Sequence, residues 1–168
     1  HFSMITQSTF DFLSELKQNN TREWYHANKD TYKEAFGNFE DLVAMLLHTI
    51  AEFDDSVIGT EPKDCLFRIY RDIRFSKDKT PYKSWFGAAM KQGGRKEIGS
   101  GYYVHVSPTQ VYLAGGIWHP DKDTLGMIRD HIVAWPNKFE NVVLDKTFLK
   151  IFDGLGGDQL KTAPRGIP

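Results

Sequence analysis

Hydrophobic positions recur at two different spacings along this chain, and each spacing predicts its own kind of element. Phe10, Leu13 and Leu16 follow Ser8 and Thr9 at helical intervals, which predicts a helix capped at that pair and stopped by Asn19-Asn20. Thr21 before Arg-Glu-Trp24 predicts a second, short helix, with Thr21 as N-cap and Trp24 and Tyr25 as buried anchors. From about 30 to 53 comes the longest run. Tyr32, Phe36, Phe39, Val43, Leu46, Leu47 and Ile50 form an apolar stripe broad enough to pack against a sheet.

The middle third changes period. Segments 66–75, 85–90, 102–106 and 111–114 are short, rich in aromatic and β-branched residues, and separated by turn formers. The connections "GGRKEIGSG" and "SPT" have lengths that suit antiparallel neighbours. Thr80-Pro81 offers a helix start, but "SWFGAAM" is aromatic and short, so a strand is the preferred reading there. Helical spacing returns with Leu125, Ile128, Ile132 and Trp135, stopped by Pro136, and again with Phe139, Val142 and Val143. The expected fold is α+β: an antiparallel sheet of short strands over about 66–114, packed against N-terminal and C-terminal helices. The 168 residues suit a single domain.

Composition narrows the setting. The chain has 40% hydrophobic and 26% charged residues, the proportions of a globular protein with a core. A net charge of −1 argues against a surface given over to nucleic acid. One cysteine, Cys65, leaves no internal disulfide and fits the cytoplasm. No apolar run is long enough to span a membrane, and no secretory signal is visible. His1-Phe2-Ser3 before Met4 reads as a cloning remnant.

Charge is unevenly placed. Between Lys63 and Lys96 ten cations face three aspartates, leaving about +7 there and about −8 elsewhere. A local field of one sign recruits anions. If 66–75 is a strand, Phe67, Ile69, Arg71, Ile73 and Phe75 share one face, and Arg68, Tyr70, Asp72 and Arg74 the other. Arg71 among apolar neighbours needs a partner, either a buried carboxylate or an anionic ligand. For Arg68, Tyr70 and Arg74 the plain alternative is a solvated rim. Tyr103 and His105 fall on one strand face, where His105 is a weak candidate for acid–base work, against a structural histidine as the plain alternative. The histidines lack metal-ligand spacing, and there is no phosphate loop, dinucleotide fingerprint or nucleophile elbow. No metal or cofactor is expected.

Four segments, "FLSELKQNNTREWYHANKDTYKE", "RIYRDIRFSKDKTPYKSWFGA", "GYYVHVSPTQVYLAGGIWHP" and "LGMIRDHI", resemble in order the bacterial and fungal family called domain of unknown function 2461. The resemblance implies a cytoplasmic α+β protein of bacterial type and carries over no catalytic residue. It also implies a continuation past the closing "LKTAPRGIP", so that a C-terminal helical portion is expected to be missing and the chain less stable than a longer form.

The leading expectation is a basic, aromatic-lined groove for an anionic ligand, phosphorylated or nucleic-acid-like. Its charge comes from Arg68, Arg71, Arg74, Lys77, Lys79 and Lys83, and its stacking from Tyr70, Tyr82 and Tyr103. One rival is an enzyme on a small anionic metabolite, with His105 as acid–base group and Arg71 fixing the substrate. The other is a structural or interaction module whose charges pair internally. No membrane partner is expected, and oligomeric state is not legible.

Overall fold

A computed structural model describes residues 4–155 and 160–162. Residues 1–3, where a cloning remnant is expected, and most of the closing "LKTAPRGIP" lie outside the described residues, which form seven helices and one three-stranded antiparallel sheet. The chain divides into two compact units, His1–Ile117 and Trp118–Pro168.

In the first unit, α1 (Gln7–Gln18), α2 (Arg22–Ala27) and α3 (Lys29–Ala51) follow the apolar spacing closely. The start of α1 differs from the expected Ser8/Thr9 cap. Thr6 is the N-cap, its side chain making no capping bond to the helix backbone, and Thr9 is buried. The Asn38 side chain on α3 accepts from the Thr6 N–H at 2.9 Å and from the Thr9 hydroxyl at 2.8 Å. A neighbouring helix thus does the work that a local cap would do. Thr21 caps α2 as expected, accepting from the Trp24 N–H at 3.2 Å.

Phe12, Leu13, Leu16, Phe39, Val43, Leu47 and Ile50 are buried together with Phe86, Ala88, Met90, Val104 and Val106 of the sheet. Tyr25 is buried, whereas Trp24 and Leu46 are half-buried at the margin of this core. A one-turn helix, α4 (Pro62–Cys65), precedes the sheet. Strands β1 (Phe86–Met90), β2 (Gly101–Val106) and β3 (Val111–Gly116) pair in sequence order, with Ala88 opposite Val104 and Val104 opposite Leu113. The Ser107 hydroxyl closes the β2–β3 turn by accepting from the Gln110 N–H at 3.1 Å.

The expected strand over 66–75 is not a strand. It makes two isolated antiparallel bridges, Leu66 with Ala88 and Tyr70 with Tyr82. Four residues of advance on one side face six on the other, so the register cannot run through. Single hydrogen bonds hold the segment: Phe67 N–H to Gly87 O at 2.9 Å, Lys83 N–H to Ile69 O at 2.8 Å and Arg71 N–H to Pro81 O at 2.9 Å. Past Arg71 the chain leaves the sheet, which is why Phe75, expected beside Ile69, is 96% exposed.

The second unit holds α5 (Lys122–Ala134), α6 (Pro136–Val143) and α7 (Lys146–Phe152). Asp121 caps α5 and Asp145 caps α7 through their carboxylates. Pro136 ends one helix and begins the next at its first position, where its missing N–H costs nothing. None of the described residues in these three helices is buried, and Leu125, Ile128 and Ile132 are half-buried. Among the described residues no helix is long and apolar enough to cross a membrane.

Candidate functional site

The basic stretch after Ile69 is a loop folded on its own charges. Arg71, a quarter exposed, donates from Nη1 to Asp78 Oδ2 at 2.5 Å, to the Thr80 carbonyl at 3.2 Å and to the Thr80 hydroxyl. Asp78 Oδ1 accepts from the Thr80 N–H at 2.9 Å. That backbone bond, then Arg71, then the Thr80 hydroxyl hold the Asp78 carboxyl down at about 2. Arg71 thus pairs with a carboxylate, but not with the buried one expected on a strand face: the Asp78 side chain is 59% exposed and the segment is a loop. Among the described residues its remaining guanidinium nitrogens make no further bond.

Arg74 pairs with Asp72 through two nitrogens, at 2.6 and 2.9 Å, and draws the Asp72 carboxyl to about 2. Lys79 donates to the Ile73 carbonyl at 2.9 Å. Among the described residues neither Arg68 nor Lys77 has an ion-pair partner.

The tyrosines divide. Tyr82 is buried, stacked on Tyr25 with ring centres 4.2 Å apart. Asn20 clamps its backbone from both sides, donating to Tyr82 O at 2.9 Å and accepting from the Tyr82 N–H at 3.0 Å. Tyr70 lies against the same two rings but is half-exposed. Tyr103 sits elsewhere, on the outer face of the sheet.

The loop walls a cleft of about 550 Å³, lined in part by Lys17, Arg71, Asp78, Thr80, Lys83 and Trp85. Lys17 comes from α1, far away in sequence, and nothing local marks it. Asn20 reads in the sequence only as a helix stop. Lys83 differs from the other lysines of the stretch. It is half-buried, and its ammonium donates to the Arg68 carbonyl at 2.8 Å. The same nitrogen lies 4.9 Å from the Trp85 ring centre and 5.6 Å from that of Phe67. Burial first, and then the charges of Arg68 and Arg95, push the Lys83 pKa down.

Behind Trp85, on the outer sheet face, three rings stand in a row. His105 lies 5.0 Å from Trp85 and 4.9 Å from Tyr112, the latter nearly parallel. His105 Nδ1 shares a hydrogen bond of 3.1 Å with the Tyr103 hydroxyl. Burial lowers the His105 pKa, so the neutral imidazole is favoured. Burial, with Tyr112 alongside, raises Tyr103 to about 12. Gly87 makes room for this group: a Cβ there would stand 2.7 Å from the Tyr103 hydroxyl and 2.8 Å from the Trp85 ring. His105 is not part of the cleft lining, so the structure brings Arg71 and Lys83 together there, while His105 lies 5.0 Å from the ring of Trp85, which does line it. Among the described residues no group of three His, Cys, Asp or Glu side chains is placed to hold a metal ion.

A family model described as conserved hypothetical protein (DUF2461) matches residues 8–168. No curated protein and no solved structure matches the chain.

Proposed function

The chain belongs to the DUF2461 family of conserved hypothetical proteins, and from its cleft we propose that it binds a small anionic ligand carrying a phosphate group. The observation that carries this reading is the position of Arg71. Its guanidinium is fixed by Asp78 and Thr80 at the wall of a cleft that Lys17 and Lys83 also line. An arginine held by its own carboxylate and hydroxyl loses little further freedom when it takes an anion. Asp72 and Asp78 also line the cleft, but Arg74 and Arg71 pair with them, so Lys17 and Lys83 set the remaining sign. A cleft of about 550 Å³ suits a small molecule better than a polymer.

The enzyme reading, with His105 acting on a substrate fixed by Arg71, gains no support from a histidine outside that lining. The unpaired, buried Cys65 supports a reducing compartment such as the cytoplasm.

Pyrophosphate titrated into the protein at low salt, followed by amide chemical shifts, tests the proposal. Saturable shifts are expected at Arg71, Thr80 and Lys83. Lys17 is exposed on α1, so Lys17→Glu should weaken binding about tenfold without unfolding the chain. No saturable response, or equal affinity in Lys17→Glu, would remove the proposal.

A further inference from the structure

Lys83 is built differently from every other cation of the basic stretch. Arg71 and Arg74 have carboxylates, and Lys79 is exposed. Lys83 has none among the described residues; around it are the rings of Phe67 and Trp85 and the cations Arg68 and Arg95. A half-buried lysine beside other cations is the setting in which an amine becomes neutral and nucleophilic. Its Nζ is also held in place, by the Arg68 carbonyl at 2.8 Å and by the two rings. A nucleophile fixed at the wall of a cleft needs little reorganisation to attack what the cleft holds.

We propose that Lys83 forms an imine with an aldehyde or ketone group of a phosphorylated ligand seated in this cleft. The proposal rests on the anion-binding reading and adds a carbonyl group to the ligand. Arg71 and Lys17 hold the phosphate, which sets the carbonyl carbon against Lys83 Nζ. The ammonium first gives up one proton. The nitrogen lone pair then forms the C–N bond while the carbonyl π pair moves to oxygen. That oxygen leaves as water, taking the released proton and one more from nitrogen, so ammonium and carbonyl become a protonated imine and one water. Ser84 lines the same cleft, and its hydroxyl together with solvent in the cleft passes the proton. The two rings shield the imine from hydrolysis.

Pyridoxal 5′-phosphate, an aldehyde bearing a phosphate, is the probe, trapped with borohydride and located by peptide mass mapping. Lys83 is expected to be modified about tenfold faster than Lys77 or Lys79, which stand exposed in the same loop. Pyrophosphate should slow modification at Lys83 and leave Lys77 unchanged. Lys83→Arg keeps the charge and a donor for the Arg68 carbonyl; it should fold and lose the fast site. If that variant fails to fold, the rates mapped on the unaltered chain still decide the matter. Equal rates at Lys83 and Lys77 while pyrophosphate still binds would overturn the imine and leave the anion site standing. Equal rates with no pyrophosphate binding would overturn both. Fast modification that pyrophosphate does not slow would overturn the cleft as the place of reaction.

Discussion

The two faces of the sheet use alternate residues of the same strands and are stabilised in different ways. On the inner face Phe86, Ala88, Met90, Val104 and Val106 are buried against α1 and α3. On the outer face stand Tyr103, His105 and Tyr112, half-exposed or exposed, with Trp85 and Lys83 at one end. The inner face depends on apolar area removed from water, which is insensitive to detail as long as volume is conserved. The outer face depends on fit: a glycine under two rings, a phenol on an imidazole nitrogen, an ammonium over an indole. Burial on the inner face fades across the sheet, since all six residues of β3 are exposed, Val111 and Leu113 among them. Function is expected where fit, not area, sets the arrangement.

The largest separation of the two faces should come from Phe86→Ala. Phe86 is 1% exposed and has Phe36 and Phe39 within 5.5 Å of ring centre. Its truncation should cost about 3–5 kcal/mol in a urea melt, and a cost below about 1 kcal/mol would mean that the inner face is not the core.

Gly87→Ala probes the other face at the neighbouring residue. The added methyl group would press on Tyr103 and Trp85, so a loss of about 1–3 kcal/mol is expected. The His105 ring resonances should move with it. Unchanged histidine shifts would mean that the outer rings are not a fitted group.

Acid should act on the loop before it acts on either face. Asp72 and Asp78 titrate near 2 in the fold and at the ordinary 3.8 when unfolded. Their folded values are depressed, so their contribution is complete above about pH 4 and is lost as pH falls toward about 2. Urea midpoints across that window should fall in the native chain and fall less in Asp78→Asn. Identical slopes would show that the pairing does not hold the loop. The smallest effect belongs to Lys77, exposed and without an ion pair among the described residues; Lys77→Ala should stay within about ±0.5 kcal/mol.

Much of the architecture is legible in the sequence because it rests on periodicity. The stripe from Tyr32 to Ile50 forms α3, and alternation around Val104 and Val106 puts those side chains into the core. Segment 66–75 misleads for a physical reason. Its expected face does not form, since Leu66 and Ile69 are in the core while Phe67 lies against Tyr103; pairing needs a partner in register, and the Ser84-Trp85 side carries extra residues. Among the site residues, Arg71 finds a carboxylate in Asp78, seven residues on, but in an exposed loop and not on the apolar strand face that its neighbours suggest. Lys83 reads in the sequence as one more surface lysine, because nothing local shows that Arg68, Phe67 and Trp85 will close around it.

Spacing and side-chain type along short runs are enough to specify the helices, the hairpin strands, the buried face and the place where positive charge gathers. Which cations are satisfied and which line a cleft depends on contacts between distant segments. Folding brought Lys17 of α1 to the same cleft as Arg71 and Lys83, used Asn20 to pin Tyr82, and set His105 against Trp85 but outside the cleft lining. The Asn20–Tyr82 bonds alone join residues sixty-two positions apart, and the strength of a charge or a hydrogen bond depends on what surrounds it in space, which local pattern does not encode.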